Sequence, residues 1–138
     1  MTRIYQDADF EVAEIAGHVP IEFLALGEAA DEMVPETLLV CIGRDRWHRC
    51  FLDAFLGFWE VYSEAQIAQV FDDYDGVPRV DLLARFSLTG KRILRAACQR
   101  TASEGTRLSI VFESGSVLLR EIDPLDPDSA SALEFHPA

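Results

Sequence analysis

The chain has 138 residues, the usual size of one domain, and a chain of this length buries roughly two-thirds of its unfolded surface without metals or disulfides as staples. Its net charge of −12 disfavours nucleic acid and anionic lipid as partners and favours basic proteins. No apolar run approaches the ~20 residues of a membrane span, since the longest candidate, Phe51 to Val61, is broken by Asp53 and Glu60.

Taken in chain order, the first nine residues place Asp7 and Asp9 where a signal peptide needs its apolar core, so a cytoplasmic protein is expected. Phe10 to Ile15 alternates apolar with acidic or small residues and reads as a half-buried strand. Gly17 to Pro20 reads as a turn, Ile21 to Leu26 as a strand or the start of a short helix, and the acidic, Ala-rich run Gly27 to Met33 as a surface helix or loop. Thr37 to Ile42 is a strand by its β-branched and apolar content. Gly43-Arg44-Asp45-Arg46 turns the chain, and Trp47 to Asp53 returns as a second strand. On that strand Trp47, Arg49, Phe51 and Asp53 share one face, and His48, Cys50 and Leu52 the other. Phe55, Phe58, Trp59 and Tyr62 fall at helical spacing, with a short strand through Gly57 to Tyr62 as the alternative.

Ser63-Glu64-Ala65-Gln66 has the form of a capping box. It predicts a helix from Glu64 to about Asp72 with Ile67, Ala68 and Phe71 inward. The last third reads as antiparallel sheet: Lys91 to Arg100, Thr106 to Glu113, a Ser114-Gly115 turn, Ser116 to Ile122, and Ala130 to Phe135 as a closing edge strand. Between the last two, Asp123-Pro124-Leu125-Asp126-Pro127-Asp128 is a stiff acidic loop, because each proline fixes φ and removes a donor. There is no repeat and no linker. The expectation is therefore a single α+β domain over 1–138, mainly antiparallel β-sheet with one or two short helices.

Residue patterns for chemistry are sparse. His18, His48 and His136 have no neighbouring ligand at zinc spacing. Phe71 to Gly76 resembles half a calcium loop, but its first ligand position would be Phe71 and its twelfth Leu82. Thr89-Gly90-Lys91-Arg92 echoes a phosphate loop, whose first glycine would fall on Arg85. No G-x-G-x-x-G or G-x-S-x-G occurs. Cys41, Cys50 and Cys98 are an odd set in a chain without an export signal, so reduced, buried thiols are expected, with Cys41 and Cys50 near enough across a hairpin to bond under oxidation. Lys91, Arg92, Arg95 and Arg100 form the one basic cluster. It lacks interleaved aromatics, and salt bridges to acidic flanks are the expected use. No catalytic residue, metal or cofactor is assigned.

The charge is unevenly placed along the chain. Residues 1–40 hold nine acids and one base, residues 41–100 eight and nine, and residues 101–138 seven and two. The expected partner-binding residues are accordingly Asp7, Asp9, Glu11, Glu14, Asp31, Glu32, Asp123, Asp126 and Asp128.

Two stretches carry a resemblance. LLVCIGRDRWHRCFLDAFLGFWEVY (residues 38–62) and RLSIVFESGSVLLREIDPLDPDSASALEF (residues 107–135) are similar to small bacterial immunity proteins encoded beside polymorphic or contact-dependent toxins. The resemblance implies a non-enzymatic cytosolic protein that neutralises a toxin by sealing its active site. An acidic inhibitor suits a basic toxin domain. Two further readings stand beside it: a small-molecule-binding or enzymatic domain with Trp47, Phe55, Trp59 and Tyr62 as a pocket wall, and a self-associating structural subunit, possible as a homodimer.

Overall fold

The computed structural model describes all 138 residues. Eleven strands and two short helices follow in the order β1 (Thr2–Asp7), β2 (Phe10–Glu11), β3 (Glu22–Leu26), β4 (Thr37–Cys41), β5 (Trp47–Asp53), β6 (Leu56–Tyr62), α1 (Glu64–Asp73), β7 (Arg79–Asp81), α2 (Leu82–Arg85), β8 (Ile93–Thr101), β9 (Gly105–Phe112), β10 (Gly115–Glu121) and β11 (Ser131–Pro137). Single 3₁₀ turns occupy Ala13–Ile15 and Ala30–Glu32. The chain is thus an α+β protein dominated by antiparallel sheet. No helix is long and apolar enough to cross a membrane.

The strands form two sheets, β1-β6-β5-β4-β3-β7 and β11-β10-β9-β8-β2, antiparallel throughout. Between them lies the main core, where Phe23, Leu38, Val40, Cys50 and Trp59 of the first sheet face Ile93, Cys98, Leu108, Ile110 and Phe112 of the second. The Phe23 and Phe112 rings meet at 5.9 Å. The first sheet is covered on its other side as well. There α1 lays Ile67 and Val70 over Leu24, Leu26, Leu39, Cys41, Trp47 and Tyr62. The second sheet keeps one face open, so β9 and β10 show strict in–out alternation, as a half-buried sheet requires.

Helix α1 begins where its local sequence dictates. Ser63 Oγ accepts from the Gln66 N–H, Gln66 Oε1 accepts from the Ser63 N–H, and a cap of this kind is worth about 1 kcal/mol. Ile67 and Val70 face inward, whereas Ala68 is exposed and Phe71 lies at the margin against Trp47. The aromatic run before it is strand. Trp59 points into the main core, Phe58 and Tyr62 lie on the helix-covered side, and Phe55 sits in the β5–β6 turn.

The expected strand from Phe10 to Ile15 is cut short. Val12 still donates to the Ala96 carbonyl, but the chain then coils into a 3₁₀ turn that buries Ile15. The hairpin does not bring Cys41 and Cys50 together, because they face opposite sides of the sheet. Cys41 lies under α1 and Cys50 lies between the sheets, where Cys98 is the thiol that influences it.

Candidate functional site

Antiparallel strands deliver their connections alternately to two ends of the molecule. At one end lie the β1–β2, β3–β4, β5–β6, β8–β9 and β10–β11 connections. The α1–β7 turn joins them, since the Pro78 carbonyl accepts from Gly27. The two sheets are tied together at this end. Ala54 donates to the Pro127 carbonyl (3.1 Å) and the Thr106 hydroxyl donates to the Phe55 carbonyl (2.6 Å).

The connections at this end form an acidic pole. The connections themselves contribute Asp9; Glu28, Asp31, Glu32 and Glu36; Asp75; Glu104; and Asp123, Asp126 and Asp128, and Asp7, Asp53, Asp72 and Asp73 close the elements that lead into them, with Arg79 and Arg100 beside them in β7 and β8. The connections alone hold ten of the chain's 24 acids and none of its 12 bases. The connections at the opposite end carry Glu14, Asp45 and Glu113 against Arg44, Arg46, Lys91 and Arg92.

Seven of the expected residues therefore meet at one pole: Asp7, Asp9, Asp31, Glu32, Asp123, Asp126 and Asp128. Glu11 and Glu14 do not. Glu11 lies on the open face of the second sheet, paired with Arg95 at 3.2 Å, and Glu14 accepts from the Tyr5 hydroxyl at 3.1 Å. Sequence reasoning missed the pole's Asp53, Glu104 and the Asp72, Asp73, Asp75 group. In the sequence the last stands out only as half a calcium loop at the end of the predicted helix. Their common location depends on strand direction, which linear charge counts do not contain.

The loop from Asp123 to Ser129 is held by its own polar groups. Asp123 Oδ1 accepts from Leu125 N–H, Asp126 Oδ1 from Asp128 N–H, and Ser129 Oγ from Asp123 N–H. This loop presents Leu125, 88 % exposed, with Ile122 half exposed beside it. Such apolar side chains on a stiff loop ringed by charge are what an interface anchor requires. The neighbouring β5–β6 turn is strained, with Ala54 and Phe55 at φ of 50° and 67°. That conformation costs about 1–2 kcal/mol per non-glycine residue. It persists because Pro127, Thr106 and Arg100, whose guanidinium lies 4.6 Å from the Phe55 ring centre, fix it from the second sheet.

Beside the pole, the open face of the second sheet forms a groove of about 700 Å³. Its shape follows from the register. Ser109 pairs with Leu118 at its centre beside Ser116, and longer side chains rise around them from Arg107, Arg120, Glu134 and His136. Arg107 pairs with Glu104 at 2.7 Å, Arg120 pairs with Glu134, and His136 reaches Glu134 at 3.1 Å. The Arg120 hydrogen bond holds the Glu134 carboxyl below its ordinary range. No Phe, Tyr or Trp lines this groove. The aromatic pocket wall is not formed, because Trp47, Trp59 and Tyr62 are core residues, 3, 0 and 7 % exposed.

The remaining titratable groups inside the molecule are built into its packing. His48 Nδ1 accepts from the Trp59 indole at 2.8 Å, and burial lowers its pKa to about 4. Burial pushes the Cys50 thiol upward and the Cys98 thiol up to about 12, the opposite of what nucleophilic cysteine needs. Glu60, 2 % exposed, is held by Arg3 (2.6 Å) and the Tyr62 hydroxyl (2.8 Å), with Arg49 at 3.8 Å. Burial works against the Arg49 charge, but the Tyr62 hydroxyl and Glu60 outweigh it and hold the guanidinium above its ordinary pKa. Three members of the basic cluster pair with acids: Arg92 with Glu113, Arg95 with Glu11 and Arg100 with Glu121. No group of three or more His, Cys, Asp or Glu converges as metal ligands.

Comparison with protein-family models, curated proteins and solved structures finds no match to this chain.

Proposed function

We propose that this protein is a binding module that captures a basic protein through its acidic pole, and that it acts as an immunity-type inhibitor covering the active site of a toxin domain. One observation carries the reading: the connections at one pole hold ten acids and no base. A surface of one sign accelerates encounter with a partner of the other sign and orients it before contact. The exposed Leu125 and Ile122 then supply apolar anchors within that field. The similarity of residues 38–62 and 107–135 to immunity proteins supports the choice of a toxin over other basic partners.

The decisive experiment is co-purification with the product of the neighbouring reading frame, followed by stopped-flow association at low and high salt. A complex is expected whose association rate falls steeply with salt. The Asp123→Asn/Asp126→Asn/Asp128→Asn variant should associate about tenfold more slowly at low salt and match the native protein at high salt. An adjacent frame encoding no toxin-like protein, together with a deletion strain that stays insensitive to kin cells, overturns the proposal.

A further inference from the structure

Where β10 leaves the sheet, a side chain takes over from the backbone ladder. The β9–β10 pairing ends at Arg120 and Arg107. The next amide on β9, Thr106 N–H, donates instead to Glu121 Oε1 at 2.6 Å, and Arg100 Nη1 donates to the same oxygen at 3.2 Å. Glu121 is 4 % exposed and shares the inward side of β10 with Val117 and Leu119. Thr106 is fully buried and passes the contact on. Its hydroxyl accepts from Arg100 Nη1 at 2.7 Å and donates to the Phe55 carbonyl at 2.6 Å.

These contacts close a circuit. From Glu121 it runs to Thr106 at the start of β9, then to Phe55 and Ala54 in the β5–β6 turn. The Ala54 N–H returns it to the Pro127 carbonyl, in the loop that follows Glu121. The crevice between turn and loop, bordered by Leu52, Phe55, Glu121 and Pro127, is too narrow for a water molecule. Pro124 of the same loop lies over Gly105, where a Cβ would come within 2.8 Å of it. Ala54 and Phe55 hold positive φ, which non-glycine residues keep only where their surroundings over-determine it. Without the Glu121 carboxylate, the buried Thr106 N–H loses its acceptor and Arg100 loses its carboxylate partner.

We infer that Glu121 is the positioning residue of the acidic pole: held inside the molecule, it fixes the β5–β6 turn and the Asp123–Ser129 loop relative to one another. The inference rests on the reading of the pole as a partner surface, and adds that the surface is set before the partner arrives. A pre-shaped surface loses less conformational freedom on binding, so its complex lasts longer. Steering of the encounter depends on the field of the whole pole, which one interior carboxylate changes little.

Amide hydrogen exchange on the full chain tests the circuit, and stopped-flow kinetics with the product of the neighbouring reading frame test its use. In Glu121→Ala, exchange at Ala54 should accelerate at least about tenfold more than exchange at Ile110, in the middle of β9. Association at low salt should stay within about twofold of native, while dissociation should rise at least about tenfold. Ile67→Ala, which acts beneath α1, should give neither the excess at Ala54 nor the faster dissociation. Glu121→Gln restores an acceptor for Thr106 and should recover part of both changes. Thr106→Val deletes the hydroxyl link to Phe55 and Arg100 and should show the same local signature, which covers the case in which Glu121→Ala does not fold. Acceleration shared equally by Ala54 and Ile110 would mean a general contribution to stability, and would overturn the positioning role. A complex whose dissociation neither variant alters would overturn it too, while leaving the broader reading of the pole intact. If no complex forms, that reading fails and the positioning role falls with it.

Discussion

Concentrating like charges at one pole should reduce the stability of the folded state, and the size of the effect follows from simple electrostatics. Two carboxylates on the order of 10 Å apart in water repel by about 0.4 kcal/mol. An acid with about three such neighbours carries about 1 kcal/mol of repulsion when the Debye length is ~30 Å, as in 10 mM salt, and almost none at ~3 Å, as in 1 M salt. Asp123, Asp126 and Asp128 lie in one loop whose turns use side-chain oxygens, and asparagine retains that acceptor. The triple Asp→Asn variant should therefore gain about 2 kcal/mol at 10 mM salt, after allowance for residual repulsion in the unfolded chain. The gain should vanish at high salt, where the native protein itself becomes more stable. Urea unfolding at the two salt concentrations, with m-values checked for constancy, measures this directly. A native protein that loses stability as salt rises, or a triple variant less stable at 10 mM, would refute the reasoning, because ion pairs would then outweigh repulsion at this pole.

Three further perturbations test the interior. The folded-state pKa of His48 is lowered to about 4 from an ordinary 6.5, so its contribution is fully present above pH 6.5 and is lost as pH falls towards 4, by about 3 kcal/mol; His48→Gln should flatten the pH dependence of unfolding over that window. Glu60→Ala strips Arg3, Arg49 and the Tyr62 hydroxyl of their shared acceptor and should cost about 3 kcal/mol in chemical denaturation, whereas a change below about 1 kcal/mol would show that the cluster is solvated. A Cβ at Gly57 would sit 2.5 Å from Cys98 Sγ, so Gly57→Ala should destabilise by about 1–3 kcal/mol; adding Cys98→Ala should recover part of that loss in a double-mutant cycle, and strict additivity would disprove the contact.

How far the sequence was legible varies from element to element. The unit from Thr37 to Asp53 was readable because a Gly-containing polar turn separates two runs whose neighbours in space are also neighbours in sequence. The helix start at Ser63 was readable because a capping box is local. The run from Phe55 to Tyr62 was ambiguous for a physical reason. Its sheet is covered on both sides, so β6 buries Trp59 on one face and Phe58 and Tyr62 on the other, and the period-2 signal disappears. Phe10 to Ile15 kept the alternation of a strand but lacked a partner for its second half. Glu121 looked like any surface acid in a strand that ends at a charged loop. Its burial follows from Thr106 and Arg100, which reach it from other strands.

The acidity along the chain pointed to the two ends of the sequence, yet the pole is not made from the ends alone. Asp53, Asp72, Asp73 and Asp75 come from the middle third, where acids and bases balance by count. They reach the pole because β5 and α1 both run towards it, while Arg44, Arg46, Lys91 and Arg92 fall in connections at the other end. A requirement for solubility alone is met by acids spread over the surface, where mutual repulsion is least. Sorting ten of them into one set of loops raises that repulsion and gives no gain in solubility. The arrangement makes physical sense when a concentrated field has something to attract.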